Sequence, residues 1–408
     1  MSRYNEQYVK LDELGKVGRG KSKHRPRNDS SLFGGNYPFI QTGDVRKAEF
    51  YLTEFSETYN EKGLAQSKLW DKDTLCITIA ANIAENAILG IKACFPDSII
   101  GFLPDKKKAD LKFIKYCLDT YKIQIQSISQ GATQDNLSLE KLRSINFLVP
   151  ELSTQKMIGS VLFNYDQLIE NNTKRIAILE QMAEQIYKEW FVRMRFPGHQ
   201  NTKFIKGIPE GWEVIQFQKI VQEIRKGIKK EQINPNIEYV GLEHLPVKSL
   251  ILSNWGKGED IDSDKLRFET NDILFCKIRP YLHKVAIAPF NGICSTDTII
   301  MRPLKPEYQH YSSLIAISNV FVDFADITSN GTKMPRADWK VLKKFQCLYP
   351  GEELLLKFNK MVTPLLEECK ILMGQNKTLE SSRNLLLPRL ISGKLSVEKL
   401  SATLQEAV

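Results

Sequence analysis

Apolar residues recur at alternating steps of four and three in the middle of the chain, over residues 157–192. This heptad pattern predicts a long helix that packs along its length against a partner helix. At 1.5 Å per residue the helix would be about 50 Å long, too long to be stable alone. Asn172 lies on the seam, where a polar residue often fixes the pairing register. The seam consists of Ile158, Leu162, Tyr165, Ile169, Asn172, Ile176, Leu179, Ala183, Ile186 and Trp190.

A second heptad pattern lies 200 positions later and supplies the candidate partner. Asn376 and Arg383 interrupt this seam, and Pro364 is expected to kink the helix or to delay its start. The alternative is that two unrelated amphipathic helices belong to separate cores. The apolar positions of the second seam are Phe358, Val362, Leu365, Cys369, Leu372, Leu379, Leu386 and Leu390.

The same offset of 200 residues relates segments outside the helices, which argues against that alternative. Cys94-Phe-Pro-Asp97 is matched by Cys294-Ser-Thr-Asp297, and Leu148 and Pro150 recur as Leu348 and Pro350. We therefore predict an α+β fold in which a mixed α/β domain followed by a long helix is duplicated in tandem, with the two helices paired as an antiparallel coiled coil. The predicted segments are a first domain at 1–150, a central helix at 151–195, a linker at 196–212, a second domain at 213–350, a distal helix at 351–393 and a C-terminal tail at 394–408.

Composition narrows the class of protein. A chain of 408 residues is longer than one hydrophobic core usually serves, and it lacks a long apolar run, so we expect a two-domain cytoplasmic protein that does not bind membranes. The formal charge of +9 permits a polyanionic partner without requiring one. The seven cysteines form no CxxC pair and the five histidines are scattered, so no metal site is indicated.

A glycine-rich basic stretch near the N-terminus allows two interpretations. Residues 15–22 match the phosphate-binding pattern GxxxxGK[ST], but a P-loop must open a helix, and here Pro26 follows instead. The competing interpretation is a flexible cationic loop that contacts DNA phosphates or bases. A solvated loop without a partner is the structural alternative. The candidate contacts are Arg19, Lys21, Ser22, Lys23 and Arg25.

The second domain carries its own basic stretch after a strand predicted at residues 272–275. Basic and aromatic residues interleave there, as in phosphate and base contacts, and the stretch differs from its counterpart at 79–85. Two copies that share a scaffold but differ in exposed polar residues would recognise two different targets. The candidate contacts are Lys277, Arg279, Tyr281 and Lys284, with Gln134 and Lys333, beside the Gly131 and Gly331 turns, as further candidates.

Several stretches together resemble the specificity subunit of type I restriction-modification systems. They are GRGKSKHRPR followed by YPFIQTGDV, then VPELSTQKMIGSVLFNYDQLIENN, EWFVRMRFPG, GIPEGWEV and RNLLLPRLISGKL. The resemblance implies a non-catalytic subunit with two target recognition domains. Each domain would bind one half of an asymmetric, interrupted double-stranded DNA site.

The resemblance also implies partners. The two helices would serve as a spacer and as docking surface for two methyltransferase subunits, which carry S-adenosylmethionine. Restriction subunits that translocate DNA would add ATP and magnesium, whereas this chain itself would bind no cofactor or metal. A P-loop NTPase and a coiled-coil scaffold that ignores DNA remain the alternatives from other functional classes.

Overall fold

The computed structural model describes residues 7–130, 137–331 and 333–398. Two compact units share them: unit 1 contains the described residues up to 169 together with those from 378 onward, and unit 2 contains residues 170–377. Each unit therefore combines one α/β domain with a part of both long helices.

Unit 1 begins with a strand and a single helical turn, followed by short strands and helices whose lengths follow the short apolar runs of the sequence. Its elements are β1 (Gln7–Lys10), α1 (Leu11–Leu14), β2 (Gly15–Arg19), β3 (Phe33–Phe39), α2 (Thr42–Lys47), β4 (Tyr51–Leu52), β5 (Glu57–Tyr59), α3 (Glu61–Gln66), β6 (Leu69–Trp70), β7 (Leu75–Thr78), β8 (Asn86–Leu89), β9 (Ala93–Cys94), β10 (Ile99–Pro104), α4 (Leu111–Gln130), α5 (Leu139–Arg143), β11 (Asn146–Val149) and the start of α6 (Leu152–Tyr187).

The central sheet of unit 1 has five strands in the order β2-β10-β7-β8-β4, and all residues of β7 and β8 are buried. A four-stranded sheet, β5-β3-β9-β6, and the antiparallel pair β1-β11 complete the domain. Continuous apolar runs such as Leu75-Cys-Ile-Thr78 are typical of strands that are covered on both faces.

Unit 2 contains the end of α6, which closes in a π-helical turn at Lys188–Val192. Its further elements are β12 (Phe204–Ile205), β13 (Ile208–Pro209), β14 (Glu213–Gln216), β15 (Val221–Ile224), β16 (Lys226–Ile228), β17 (Glu238–Val240), β18 (Gly256–Lys257), β19 (Lys265–Phe268), β20 (Ile273–Cys276), β21 (Val285–Ile287), β22 (Gly292–Cys294), β23 (Thr298–Pro303), α7 (Gln309–Ile317), α8 (Asn319–Ile327), α9 (Trp339–Leu342), β24 (Gln346–Tyr349) and the larger part of α10 (Glu352–Ile391).

The topology of unit 2 repeats that of unit 1 and confirms the tandem duplication. The order β15-β23-β20-β21 corresponds to β2-β10-β7-β8, and the pair β14-β24 corresponds to β1-β11. The second sheet of each copy contains one corresponding parallel strand pair, β3 with β9 in unit 1 and β17 with β22 in unit 2. The copies differ where the single helix α4 of unit 1 is replaced by the two shorter helices α7 and α8.

Both domain cores extend onto the long helices. In unit 1, Leu162 of α6 and Leu390 of α10 are fully buried in the same cluster as Phe113 of α4. In unit 2, Ala183 of α6 and Phe358 of α10 share a cluster with the domain's strands. Because each helix buries apolar residues against a domain as well as against the other helix, helix and domain are stabilised together.

The two helices pair in antiparallel fashion. In unit 2, Arg175 is 2.9 Å from Glu368, and Asn172, which is 8% exposed, donates to Gln375 at 3.4 Å, so residue numbers rise on one helix as they fall on the other. The seam positions are buried at Ile158, Leu162 and Leu390 and half-buried at Ile169, Ile176, Leu179, Ile186, Leu365, Leu379 and Leu386.

Two expectations about the second helix need correction or explanation. Helix α10 begins at Glu352 and runs through Pro364, so the proline does not delay its start. Arg383, which interrupts the heptad seam, forms an ion pair with Asp166 of α6 inside unit 1, and Tyr116 donates a hydrogen bond to the same carboxylate. A charged residue is tolerated on the seam because its partner is supplied from the facing helix.

Candidate nucleic-acid interface

Three loops of unit 1 leave the central sheet at the same end of its strands. Arg19 at the end of β2 lies opposite Ile100, and Thr78 at the end of β7 lies opposite Ile99, so both strands end beside the start of β10. Gly20 N donates to Ile99 O at 2.9 Å, and Ile79 N donates to Ser98 O at 3.0 Å. The three segments therefore remain side by side just beyond the ends of the strands. We call this surface the unit 1 edge; it comprises residues 20–29, 79–85 and 95–98.

Hydrogen bonds from residues outside it anchor the basic loop at the unit 1 edge. The backbone amides of Lys23 and His24 both donate to Oε1 of Gln66, at 2.6 and 3.1 Å. Arg27 donates two hydrogen bonds to Asp97, at 2.7 and 2.9 Å. The loop backbone is therefore held in one conformation by residues from outside it.

An acidic residue also holds this loop. The Asp29 carboxylate accepts hydrogen bonds from Ser31 N at 2.9 Å and from the His24 ring at 2.7 Å. These contacts, the one with the Ser31 backbone first, lower the pKa of Asp29 to about 2. The carboxylate is consequently ionised at neutral pH and fixes the position of His24 within the loop.

The predicted contact residues of this loop fall into two groups. Arg19, Lys21 and Lys23 are exposed, and their charged groups have no partner among the residues that the structure describes. Arg25 is exposed, but its guanidinium donates to the carbonyl oxygens of Ser22 and His24. Three cations are thus available for a polyanion.

Ser22 was expected to contact a ligand and does not present its hydroxyl to solvent. Its side chain points inward, and the residue is only 5% exposed. The hydroxyl cannot reach a phosphate unless the loop rearranges. Ser22 therefore has a packing role in this conformation.

The same geometry excludes the P-loop interpretation. Residues 15–19 form strand β2, and within 20–29 the structure has only a short turn instead of the helix that a phosphate-binding loop requires. The glycines have a packing reason instead. A Cβ atom at Gly15 or Gly20 would lie 2.2 Å from the carbonyl oxygen of Leu103 or Pro96, so larger residues are sterically excluded.

Unit 2 has the corresponding edge, and the segment after α8 adds to it. Lys277 N donates to Asp297 O at 2.8 Å, and Arg279 N donates to Pro335 O at 2.8 Å. Ala337 N donates to Lys277 O at 2.9 Å. These bonds place side by side the three segments of what we call the unit 2 edge: residues 277–284, 295–298, and 330–331 with 333–337.

The unit 2 edge is rich in cations. Arg279 and Lys333 are exposed, and no ion pair joins either of them to an acidic residue in the described part of the chain, whereas the half-buried Lys277 lies near Glu223. Arg225, exposed at the end of β15, lies close to the same edge. Burial raises the pKa of nearby Glu223, although Arg225 and Lys277 oppose this shift.

Arg336 belongs to this surface and was missed in the sequence. Its guanidinium lies 3.5 Å from Asp297, and its backbone pairs with Asn330 and Ile278. Arg336 is about half exposed and could exchange its contact with Asp297 for one with a phosphate. The only signal in the sequence was its closeness to the Gly331 turn, where φ is +95°.

The turn that carries Tyr281 has an unusual backbone. Arg279 and His283 both have left-handed conformations, with φ of 50° and 54°, on either side of a 3-10 turn at Pro280–Leu282. Such residues cost about 1–3 kcal/mol each and occur preferentially at binding sites. His283 bonds to the carbonyl oxygen of Ile317 at 2.5 Å, while Tyr281 is 54% exposed. Tyr281 is therefore displayed on a rigid turn.

Lys284 has a different role from the one predicted. Its ammonium group donates to the carbonyl oxygen of Leu242 at 2.7 Å, and the side chain is half-buried. The residue holds the turn against the preceding segment. Gln134 and the Gly131 turn lie outside the described residues. The residue that follows them, Leu137, donates to Ile79 O at 3.0 Å as Ala337 does to Lys277 in the other copy.

A metal site and a membrane span are both absent from the part of the chain that the structure describes. Over residues 7–130, 137–331 and 333–398, no group of three or more histidine, cysteine or carboxylate side chains could hold a metal ion. None of the described helices is both long and apolar enough to cross a bilayer.

The duplicated α+β domain and the paired long helices define a class of two-domain proteins, and the cations at the sheet edges suit a polyanionic ligand. Residues 5–181 match the model of the family described as type I restriction modification DNA specificity domain. The MjaIX specificity subunit of Methanocaldococcus jannaschii is 25% identical over 410 residues, which cover 96% of this chain and 94% of that protein. The EcoDI specificity subunit of Escherichia coli is 22% identical, covering 82% and 76% of the two chains.

A solved structure agrees with this assignment at the level of the fold. The type I S subunit of M. genitalium superimposes with a TM-score of 0.61 at 15% identity, over 95% of this chain and 96% of that one. The chain is thus similar over most of its length to type I restriction enzyme specificity subunits. Both of these relatives are named as specificity subunits of type I restriction enzymes.

Proposed function

We propose that the chain recognises an asymmetric DNA site in two parts, with one half bound at the unit 1 edge and the other at the unit 2 edge. The observation that carries this proposal is the pair of equivalent sheet edges, which share their strand order but differ in exposed side chains. Since direct readout depends on side chains at base edges, two different surfaces on one scaffold suit two different sequences. The proposed target recognition domains are residues 1–150 and 213–350.

The available cations divide between two tasks. Arg19, Lys21 and Lys23 lie on an anchored loop without acidic partners, and they suit phosphate contacts that position the domain. Arg279 is held on a rigid turn, and its planar guanidinium can form two parallel hydrogen bonds with a guanine edge. Lys277 and Lys333 flank Arg279 and suit phosphates on either side of the recognised base.

We further propose that the long helices dock two methyltransferase subunits. In unit 2, Ile178 and Ile371 are 57% and 56% exposed on the outer faces of α6 and α10. In unit 1, Leu168 and Leu385 are 52% and 61% exposed on the same two helices. Exposed apolar residues at comparable places in both units suit two equivalent partner surfaces.

These partners would supply the chemistry. The methyltransferase subunits would carry S-adenosylmethionine, and restriction subunits would add ATP and magnesium, so that this chain needs no cofactor of its own. We place the complex in the cytoplasm, where its DNA substrate is found. The helices 151–195 and 351–393 would set the spacing between the half-sites, with 196–212 as linker and 394–408 as tail.

The proposal is tested by mapping methylated bases across the genome of the native host with this gene intact and with it deleted. We expect one gapped, two-part motif to lose its methylation in the deletion strain. An unchanged map in a host whose methyltransferase is active would contradict the proposal.

Docking can be tested separately by copurification. Ile178→Asp places a charge in the proposed interface and should reduce the number of bound methyltransferase subunits from two to one. Val320→Asp is the matched control, since Val320 is 68% exposed on α8 in the same unit, away from the long helices. Equal binding by both variants would contradict the assignment of this surface.

A further inference from the structure

The loop between β7 and β8 in unit 1 is the structural equivalent of the loop that carries Arg279 in unit 2. Both loops connect the third and fourth strands of the shared sheet order, and both leave the edge where the cations lie. In unit 2 this loop displays Arg279 and Tyr281, whereas in unit 1 its sequence is Ile79-Ala-Ala-Asn-Ile-Ala-Glu85. The unit 1 loop contains no basic residue.

The backbone of the unit 1 loop is fixed in the same way as that of its equivalent. Ala81 and Ala84 have left-handed conformations, with φ of 63° and 66°, and lie on either side of Asn82 and Ile83 at the tip of the loop. In unit 2, Arg279 and His283 lie in the same way on either side of the 3-10 turn at Pro280–Leu282. Alanine pays the same steric cost there as other residues with a Cβ atom, about 1–2 kcal/mol each. Strain of this kind persists when neighbouring contacts determine the conformation, and it is frequent at binding sites.

Hydrogen bonds supply those contacts and leave one polar side chain at the tip. The Thr78 hydroxyl donates to the carbonyl oxygen of Asn82, and Gln126 of α4 donates to that of Ile83 at 3.0 Å. The Asn82 side chain accepts a hydrogen bond on Oδ1 from Arg46 Nη1 at 3.2 Å. Its Nδ2 group has no partner among the residues described, and Arg46 is exposed.

The position of Asn82 relative to the cations suits a DNA groove. Strand β10 lies between β2 and β7 in the sheet, so the basic loop and the Asn82 loop are two strand spacings apart, about 10 Å. The major groove of B-DNA is about 12 Å wide. Arg19, Lys21 and Lys23 can therefore contact the phosphate backbone while the tip of the neighbouring loop reaches the base edges.

From this geometry we infer that Asn82 recognises a base in the half-site of unit 1 and that Arg46 is its positioning residue. An amide offers one donor and one acceptor in a plane, the pattern that matches N7 and the N6 amino group of adenine in the major groove. Oδ1 has two lone pairs, so it can accept from Arg46 and from the base together. The inference rests on the proposed two-part recognition and names the chemical class of the target in one half: an adenine-containing base pair.

The test is the methylation map of the native host with the gene carrying Asn82→Ala, Asn82→Asp, Arg46→Ala or Arg46→Lys. Asn82→Ala should lower discrimination at one base pair of one half-site by about 5- to 150-fold and leave the other half-site unchanged. Asn82→Asp keeps the shape but removes the donor, so the preference should move from adenine toward cytosine. Asn171→Ala, an exposed asparagine on α6, is the matched control and should change nothing.

Arg46 has its own signature as a positioning residue. Arg46→Ala should relax discrimination at the same base pair as Asn82→Ala, and Arg46→Lys should restore part of it because an ammonium group can still donate to Oδ1. Relaxation at a different base pair would overturn its assignment to Asn82.

The outcomes separate this inference from the proposal beneath it. If the wild-type gene specifies no gapped two-part motif, the proposed function is wrong. If the motif is present and both Asn82 variants retain it in full, only the assignment of Asn82 is wrong. A loss that is equal in both half-sites, from variants whose thermal unfolding matches the wild type, would also overturn the assignment.

Discussion

The two sheet edges contain the same aspartate in different surroundings. Asp97 and Asp297 follow the same offset of 200 residues and occupy the same turn before β10 and β23. In unit 1 the carboxylate accepts two hydrogen bonds from Arg27, which belongs to the loop after β2. In unit 2 it lies 3.5 Å from Arg336, which belongs to the segment after α8. One scaffold position thus anchors a different cationic segment in each copy.

The difference shows how the duplicated fold can acquire two specificities. The strands and their order are constant. The free cations, however, lie on the loop after β2 in unit 1, whereas in unit 2 they lie on the loop between β20 and β21 and on the segment after α8. Because the anchoring contacts come from the scaffold, a new cationic segment can be fixed without a new core.

Unit 2 should be more sensitive to acid than unit 1. Burial lowers the pKa of His310 to about 4, with a further contribution from Lys370, whereas Glu367 opposes the shift. The pKa of this histidine is lower in the folded chain than in the unfolded chain. As pH falls from about 6.5 toward 4, the unfolded chain binds the proton more tightly, and the folded state therefore loses stability. The full loss is about 3 kcal/mol.

The offset of 200 residues matches His310 with Asp110, so unit 1 has no histidine at that place in the sequence. Hydrogen exchange measured from pH 7 to pH 4 should show opening of α7 and its neighbours before the central sheet of unit 1. His310→Gln removes the titrating ring and should abolish most of the difference. Parallel loss of protection in both units of the wild type would be evidence against this explanation.

Removing the free cations of unit 1 should weaken DNA binding without changing its sequence preference. Each phosphate contact contributes about 0.9 to the slope of log affinity against log salt, so the triple variant Arg19→Ala, Lys21→Ala, Lys23→Ala should lower that slope by about 3. Titrations of the native complex at several salt concentrations measure it. Lys72→Ala, an exposed lysine at the opposite end of β7, is the control, and a slope unchanged in the triple variant would exclude these phosphate contacts.

Arg279→Ala should reduce discrimination at one half-site only. A bidentate contact with guanine contributes about 1–3 kcal/mol, and its loss should leave the half-site bound by unit 1 as it was. Competition between duplexes altered in one half or the other measures both effects with the same protein. Equal losses in the two halves would sink the assignment of Arg279 as a base contact.

The shared aspartates should have the smallest effect. Asp97→Asn removes a partly exposed ion pair, for which about 0.2–1 kcal/mol of unfolding free energy is expected. Asp297→Asn should cost less, because the contact with Arg336 is longer. Denaturant unfolding of the two variants ranks them, and the reverse order would show that the unit 1 loop is anchored mainly through Gln66 and Asp29.

Much of the fold could be predicted from periodicity. The heptad seams predicted both long helices, and the offset of 200 residues predicted the duplication. Both patterns can be seen by comparing positions within the sequence itself. The uninterrupted start of α10 was not predictable, since the effect of Pro364 depends on the packing of the surrounding turns. Arg383 interrupted the seam in sequence, yet its partner Asp166 is more than 200 positions away and visible only in the structure.

The candidate interface was predictable as a region but not residue by residue. Basic loops stand out in composition, so Arg19, Lys21, Lys23 and Arg279 could be named as candidates. Ser22 and Lys284 share that composition, but burial of the first and the hydrogen bond of the second to Leu242 depend on tertiary packing. Arg336 joins the unit 2 edge through backbone pairing with a segment far away in sequence, and no local pattern marks such a contact.

Crosslinking can test directly whether each unit contacts its own half of the DNA site. Replacing Lys23 in unit 1, or Lys333 in unit 2, by a photoreactive amino acid in the native complex would map both contacts on one target duplex, with Lys72 as the control position. If each unit contacts its own half, crosslinks from position 23 should fall in one half-site and those from position 333 in the other, with none from position 72. Crosslinks from both positions within the same half-site would contradict it.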